Sequence, residues 1–212
     1  RGLIGPTVFI PLAEQSGLID ELTDVVLRTV VGQLAAWPAD ERLPIAVNLS
    51  AHTAASPAIV ETITGLLAEH GVRPEHLQVE ITETALVADR TRVVPVLEAL
   101  AAAGVRAAID DFGTGQTSIA QLRDLPVDVL KIDQLFVDDL TDAANAARAR
   151  SVIKAVVDLA HSFGLQVVAE GVEDGATAAT LRSLDVDLAQ GFWFSPAVPA
   201  DDVVLVRRVV PP

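Results

Sequence analysis

Short apolar runs alternate with longer amphipathic segments along the chain. Six of the runs have the length of strands, and several lack the alternation of apolar and polar residues typical of half-exposed strands. They span residues 43–48, 77–81, 105–110, 127–132, 165–169 and, more weakly, 187–192. Between them, apolar residues recur every three or four positions, which predicts helices. These segments span residues 16–37, 56–69, 92–103, 118–123, 143–163 and 175–184.

The order of these segments predicts a βα-repeat fold. Gly71, Gly104 and Gly164 each follow a helical segment and precede a strand, where a C-terminal cap with positive φ is expected. Alternating strands and helices build either a closed barrel or an open doubly wound sheet. The pattern of apolar residues alone leaves both architectures open.

Polar side chains at the strand ends favour the barrel. An open sheet usually carries a glycine-rich phosphate loop at one switch point, and neither G-x-G-x-x-G nor G-x-x-x-x-G-K-[ST] occurs here. Instead, nearly every predicted strand ends in an ionisable or amide side chain. These residues are Asn48, Glu80, Asp110, Asp111, Lys131, Asp133, Glu170 and Gln190. In an α/β barrel they would converge on one mouth, where such enzymes place their active sites.

Carboxylates dominate this predicted mouth. At least four of them in a partly dry pocket, with one ammonium group, would repel one another strongly unless cations lay between them. Oxygen ligands suit Mg²⁺, Mn²⁺ or Ca²⁺, and the adjacent pair Asp110 and Asp111 is suited to holding two ions. Two such ions promote in-line displacement at phosphorus. The set therefore indicates phosphodiester hydrolysis.

Taken one at a time, these residues have simpler explanations. Asp111 is readily interpreted as an N-cap of the following helix, and Glu83 and Asp133 as surface or loop residues. The segment from Asp111 to Gly115, D-F-G-T-G, is either an ordinary turn or a loop whose backbone approaches a ligand. Repetition at the same place in six strands is what favours the functional interpretation.

The composition limits which binding partners, metal ligands and cellular location are expected. The net charge of the 212 residues is −14, which argues against a nucleic acid partner. Without cysteine, the chain has no disulfide and no thiolate ligand, so a metal must bind to oxygen or imidazole groups. No apolar stretch reaches the length of a membrane span. We expect one cytoplasmic domain without membrane contact from this segment. Because the chain contains no Met, we expect it to be part of a longer polypeptide, and whether that polypeptide is tethered to a membrane stays open.

Eight short motifs, in order along essentially the whole chain, resemble the EAL family of bacterial cyclic di-GMP phosphodiesterases. They are GLIGP at 2–6, FIPLAE at 9–14, NLS at 48–50, EITE at 80–83, DDFGTG at 110–115, LKID at 130–133, AEGVE at 169–173 and QGF at 190–192. The resemblance implies a (β/α)8 TIM-like barrel whose first strand is antiparallel. It also implies that residues 1–212 form one EAL domain that lacks its first strands and the E-A-L tripeptide.

The resemblance assigns roles to individual residues. The metal ligands that it implies are Asn48, Glu80, Asp110, Asp111 and Glu170. Lys131 matches the lysine that orients the attacking water, Glu170 could also accept a proton, and Gln190 lines the site. Glu83 matches a glutamate that holds the loop from Asp111 to Ser118 in place through Thr117. Asp133 also supports the site. The implied cofactors are two divalent cations, Mg²⁺ or Mn²⁺, with Ca²⁺ as a candidate inhibitor.

The implied reaction is hydrolysis of one phosphodiester bond of cyclic di-GMP to linear pGpG, with a metal-bound hydroxide as nucleophile. Two positions depart from the family pattern. Gln116 stands where Tyr is frequent, and Gln134 where Arg is usual. They motivate a second hypothesis, a catalytically degenerate cyclic di-GMP receptor. A third is a dimerising signalling module, with a second copy of the chain as candidate partner.

Overall fold

The computed structural model describes residues 4–40, 42–113 and 119–203. Six strands lie within them, and each coincides with a predicted strand. They are β1 (Ile45–Asn48), β2 (Leu77–Thr82), β3 (Arg106–Phe112), β4 (Val129–Ile132), β5 (Gln166–Ala169) and β6 (Leu188–Ala189). The weakest predicted strand, residues 187–192, is reduced to the two residues of β6.

The strands form one curled parallel sheet in the order β1-β2-β3-β4-β5-β6. A doubly wound sheet reverses its strand order at a switch point, and this sheet does not. The prediction of a barrel-type α/β fold is therefore confirmed. The described strands form a segment of such a barrel with β1 and β6 at its edges, and the antiparallel strand that the resemblance implies is not among the described residues.

Helices connect the strands and cover the outer face of the sheet. They are α1 (Pro6–Ser16), α2 (Ile19–Ala36), α3 (Ala51–Ala54), α4 (Ala58–His70), α5 (Glu83–Ala88), α6 (Arg90–Ala102), α7 (Ile119–Arg123), α8 (Gln134–Asp138), α9 (Ala146–Ser162) and α10 (Gly175–Ser183). The single helix predicted for residues 16–37 is wrong at its start. Gly17 has φ 75° and ends α1, so α2 begins only at Ile19.

The core lies between the helices and the sheet. In α2 the buried residues include Leu27, Val31 and Leu34, which recur at helical spacing and form one apolar stripe. All four residues of β4 are buried, as expected for a strand covered on both faces. This packing fixes the sheet and leaves the carboxyl ends of the strands available for a site.

The predicted helix caps are confirmed. Gly71, Gly104 and Gly164 have φ values of 61°, 86° and 76°, so each occupies the left-handed region that favours glycine. Among the described helices, none combines the length and the apolar character that crossing a membrane would require.

Candidate functional site

A bulge in β3 brings two adjacent carboxylates to the same mouth. The register between β3 and β4 shifts so that Asp110 and Asp111 both lie opposite Lys131. In a regular strand two successive side chains point to opposite faces, but Asp111 has φ 55° and interrupts the alternation. As a result, oxygen atoms of Asp110, Asp111 and Glu170 lie within 4.8 Å of one another.

Lys131 lies at the centre of the carboxylates and joins three strands. Its Nζ atom is 2.6 Å from Oε1 of Glu170, 2.7 Å from Oε2 of Glu80 and 3.0 Å from Oδ1 of Asp110. Only 5% of the Lys131 side chain is exposed. Burial acts to lower the pKa of Lys131, but the hydrogen bonds to Glu170 and Glu80 and the nearby negative charges outweigh burial, so this pKa is raised. Lys131 is therefore an ammonium ion at neutral pH.

One ammonium does not balance the negative charge of the site. Burial raises the pKa of Glu170, and the charge of Asp110 adds to this although Lys131 opposes it. Burial also raises the pKa of Asp111, with further increases from Asp110 and Asp133. Both shifts mean that the ionised carboxylates repel each other in a partly dry environment. The donor set thus fits a hard divalent cation, which carboxylate oxygens bind and whose charge would relieve the repulsion.

The remaining predicted ligands lie at the neighbouring strand ends. Asn48 ends β1 and is paired in register with Glu80 of β2, and its side chain is exposed. Gln190 follows β6, and its Nε2 donates a hydrogen bond of 2.6 Å to Oε1 of Glu170. The predicted strand-end residues are therefore arranged around one mouth, and their individual roles stay predictions.

Glu83 and Asp133 hold the backbone around these carboxylates. Glu83 begins α5 and is only 2% exposed, so its interpretation as a surface residue is wrong. Its Oε2 accepts a 3.1 Å hydrogen bond from the backbone N–H of Gly113. Asp133 caps α8 by accepting a 2.7 Å hydrogen bond from Leu135 N–H, and its negative charge contributes to the raised pKa of Asp111. Thr117, the predicted partner of Glu83, lies outside the described residues.

We expect Asp111→Asn to stabilise the protein in metal-free buffer. The folded-state pKa of Asp111 is raised, so above that pKa the ionised carboxylate destabilises the fold. Asn removes the charge and tolerates the left-handed backbone. Thermal unfolding in EDTA at neutral pH should give a higher midpoint for the variant. The difference should shrink as the pH falls below the raised folded-state pKa and vanish below the lower pKa of the unfolded chain. A lower midpoint at neutral pH would show that Asp111 carries no unfavourable charge.

Comparison with known proteins identifies the family. The EAL domain family model matches residues 1–197. The chain belongs to the EAL domain family. This EAL domain is 39% identical to the cyclic di-GMP phosphodiesterase NbdA of Pseudomonas aeruginosa, over 94% of the chain and 25% of that protein. It is 37% identical to the cyclic di-GMP phosphodiesterase PdeR of Escherichia coli, over 94% of the chain and 30% of that protein. The EAL domain thus spans about a quarter to a third of these two relatives.

Solved structures of EAL domains share the fold. The PaMucR phosphodiesterase in complex with c-di-GMP superposes with a TM-score of 0.89 at 38% identity, covering 96% of this chain and 82% of that chain. The EAL domain of Mycobacterium smegmatis DcpA gives a TM-score of 0.78 at 36% identity, covering 86% of this chain and 81% of that chain. The EAL structures are TIM-like barrels, and the six-strand sheet described above is a segment of that architecture.

Proposed function

We propose that this EAL domain hydrolyses one phosphodiester bond of cyclic di-GMP and releases linear pGpG. One observation carries the proposal: oxygens of Asp110, Asp111 and Glu170 lie within 4.8 Å of one another at the carboxyl ends of parallel strands. Relatives of this domain are named cyclic di-GMP phosphodiesterases, and a similar structure contains c-di-GMP. These names supply the substrate, and the carboxylate cluster supports the chemistry.

The proposed cofactors are two divalent cations, Mg²⁺ or Mn²⁺. Asp110, Asp111 and Glu170 would hold them, with Glu80 and Asn48 completing the ligand set on the side of β1 and β2. When bound, such ions activate water and stabilise the charge that develops on the attacking and leaving oxygens at phosphorus. An acidic protein whose sequence has no run of Lys and Arg can bind a phosphodiester in this way because the cations provide the positive charge locally.

Two further side chains have proposed roles beside the reacting phosphate. Lys131 keeps its proton, since its pKa is raised, so it acts by charge and by donating hydrogen bonds rather than as a base. Glu170 has a raised pKa, which makes it a better proton acceptor for the attacking water. Gln190 fixes the orientation of Glu170 through the 2.6 Å hydrogen bond between their side chains. Lys131 and Glu170 are therefore the proposed catalytic residues.

The direct test is incubation of the purified protein with cyclic di-GMP and Mn²⁺, followed by chromatography of the nucleotides. We expect pGpG to accumulate, and EDTA in excess over Mn²⁺ to stop its formation. Saturable binding of cyclic di-GMP without any pGpG would instead support the degenerate receptor that Gln134 and Gln116 suggest. If the protein neither binds nor hydrolyses cyclic di-GMP, both proposed functions are contradicted.

Glu83→Ala tests whether the backbone after Asp111 must be held in place. The variant loses the carboxylate that accepts the N–H of Gly113, so the segment that follows Asp111 loses one fixed point. Loss of such an outer partner of a metal site typically lowers activity by 10–100-fold, and we expect a fall in kcat of about tenfold. Glu83→Gln retains an oxygen acceptor and should recover most of the activity. Equal activity of Glu83→Ala and the unchanged protein would contradict this role.

Four further proposals concern the context of the domain. Residues 1–212 form a single domain, and a bacterial second messenger as substrate supports a cytoplasmic location. Homodimer formation and the absence of nucleic acid binding stay predictions; gel filtration with light scattering tests the first, and a DNA and RNA mobility-shift assay tests the second.

A further inference from the structure

The short helix α8 lies between the loops that follow the two strands whose ends hold the clustered carboxylates. It directly follows β4, and β4 lies between β3 and β5 in the sheet. Asp110 and Asp111 lie at the carboxyl end of β3, just before the loop that begins with Gly113, and the loop after β5 begins with Glu170. The sheet order therefore places one loop on each side of α8, so side chains of this helix can contact both.

Phe136 of α8 contacts the loop on the β3 side. A Cβ atom added to Gly113 would lie only 2.7 Å from ring carbon Cε2 of Phe136, so any larger residue would require the ring to shift. Gly113 has φ 103°, a conformation that other residues rarely adopt. Phe136 is partly buried and packs against the hydrophobic core. A ring anchored in the core thus supports the backbone two residues beyond Asp111.

Gln134 of α8 makes the corresponding contact on the β5 side. A Cβ atom on Gly171 would collide with the Cγ atom of Gln134, and Gly171 has φ 70°. Gly171 directly follows Glu170. The two loops therefore share one arrangement, in which a glycine in the left-handed region lies just beyond the carboxylates and a side chain of α8 covers it.

The start of α8 is attached to the same site. Asp133 caps the helix by accepting a hydrogen bond from Leu135 N–H, and it directly follows Ile132 of β4, which is paired in register with Phe112 of β3. The ligands of a metal site must be held within about 0.5 Å of their productive geometry, so an element that contacts both loops controls whether the neighbouring carboxylates meet at the correct separation.

We propose that Phe136 and Gln134 are positioning residues that fix the separation between the pair Asp110 and Asp111 and the partner carboxylate Glu170. The catalytic consequence of this inference depends on the proposed phosphodiesterase function. Its consequence for metal binding requires only that the carboxylates bind Mn²⁺, so it can be tested without nucleotide.

Mn²⁺ titration followed by electron paramagnetic resonance, on protein without nucleotide, tests the proposal. We expect Phe136→Ala and Gln134→Ala each to weaken Mn²⁺ binding about tenfold, as for other outer partners of metal sites. Gln134→Met keeps the Cβ and Cγ atoms that cover Gly171 and should retain the affinity. Phe136→Leu keeps apolar packing but has a smaller side chain that reaches less far toward Gly113. The Mn²⁺ affinity of this variant should therefore be intermediate. If Phe136→Ala fails to fold, the Leu variant must show the loss.

Two residues of the same helix provide matched controls. Val137 is 1% exposed and belongs to the core, so Val137→Ala should lower the unfolding temperature while Mn²⁺ affinity stays unchanged. Leu135 is 65% exposed, and Leu135→Ala should change neither quantity. These controls separate a general loss of stability from a loss of ligand positioning.

Activity gives a second and separable readout. With cyclic di-GMP and saturating Mn²⁺, the positioning variants should lower kcat and leave KM nearly unchanged, because the residual defect lies in ligand geometry. The proposal is overturned if both alanine variants bind Mn²⁺ as tightly as the unchanged protein, if Val137→Ala loses as much affinity as they do, or if the unchanged protein binds no Mn²⁺. Weaker Mn²⁺ binding by the variants without any hydrolysis by the unchanged protein would contradict only the phosphodiesterase function.

Discussion

Lys131→Met should lower the free energy of unfolding by about 3–5 kcal/mol in metal-free buffer, the usual cost of removing one partner from a buried ion pair. The ammonium contacts Glu170, Glu80 and Asp110 at 2.6–3.0 Å, and the variant leaves these carboxylates facing one another. Met fills a similar volume, so the loss of stability should come from the missing positive charge and not from a cavity. Chemical denaturation in EDTA measures it.

Added Mn²⁺ should partly restore the Lys131→Met variant. Removing the ammonium removes a charge that repels a cation, so the metal should raise the unfolding temperature of the variant more than that of the unchanged protein. Lys154→Met is the matched control, because Lys154 contacts Asp158 and Asp185 on the surface and exposed pairs contribute little. If Lys131→Met is as stable in EDTA as the unchanged protein, the Lys131 charge does not offset the repulsion between the carboxylates.

Asp110→Asn should reduce the hydrolysis of cyclic di-GMP by at least about 100-fold, since even outer partners of metal sites contribute 10–100-fold. The amide keeps an oxygen that can accept the 3.0 Å contact from Lys131 and the 3.1 Å hydrogen bond from the N–H of Asp111. The fold should therefore survive while the charge that attracts the cation is lost. Initial rates at saturating Mn²⁺, with circular dichroism for the fold, measure both effects.

The control for Asp110→Asn is Asp128→Asn, a change of the same type at the opposite end of the strands. Asp128 precedes β4 and accepts a 2.9 Å hydrogen bond from the N–H of Ala107, far along the strands from the carboxylate cluster. Asp128→Asn preserves that acceptor and should leave the hydrolysis rate unchanged. Comparable rate losses in the two variants would indicate that Asp110 acts through stability and not through metal binding.

The sequence predicts the sheet well because its strands are buried on both faces. Uninterrupted apolar runs and capping glycines such as Gly71 and Gly164 have a local physical cause, so the pattern indicates both elements and order. The division between α1 and α2 at Gly17 has a similar cause and a visible signal, a glycine within an apolar periodic segment. The five-residue helix α8 is too short to show periodicity, and Asp133 as its N-cap is the one local sign of it.

The site itself could be predicted only in part. Strand ends identify Glu80, Asp110 and Glu170 because the carboxyl ends of parallel strands meet at one edge. The bulge that turns Asp111 toward Asp110 could not be predicted, since a regular strand would separate two adjacent side chains. Likewise, the spacing of charges predicts repulsion, but the simultaneous contact of Lys131 with three carboxylates depends on side-chain geometry in the folded protein. The contacts of α8 with Gly113 and Gly171 depend on tertiary packing in the same way.

Anomalous X-ray diffraction at the manganese edge, from crystals of the protein soaked in Mn²⁺, tests most directly whether these carboxylates form a metal centre. We predict an anomalous peak within coordination distance of oxygens from Asp110, Asp111 and Glu170, and no such peak in crystals of Asp110→Asn. A well-ordered carboxylate cluster without manganese density, or density only at other acidic surface groups, would contradict the assignment.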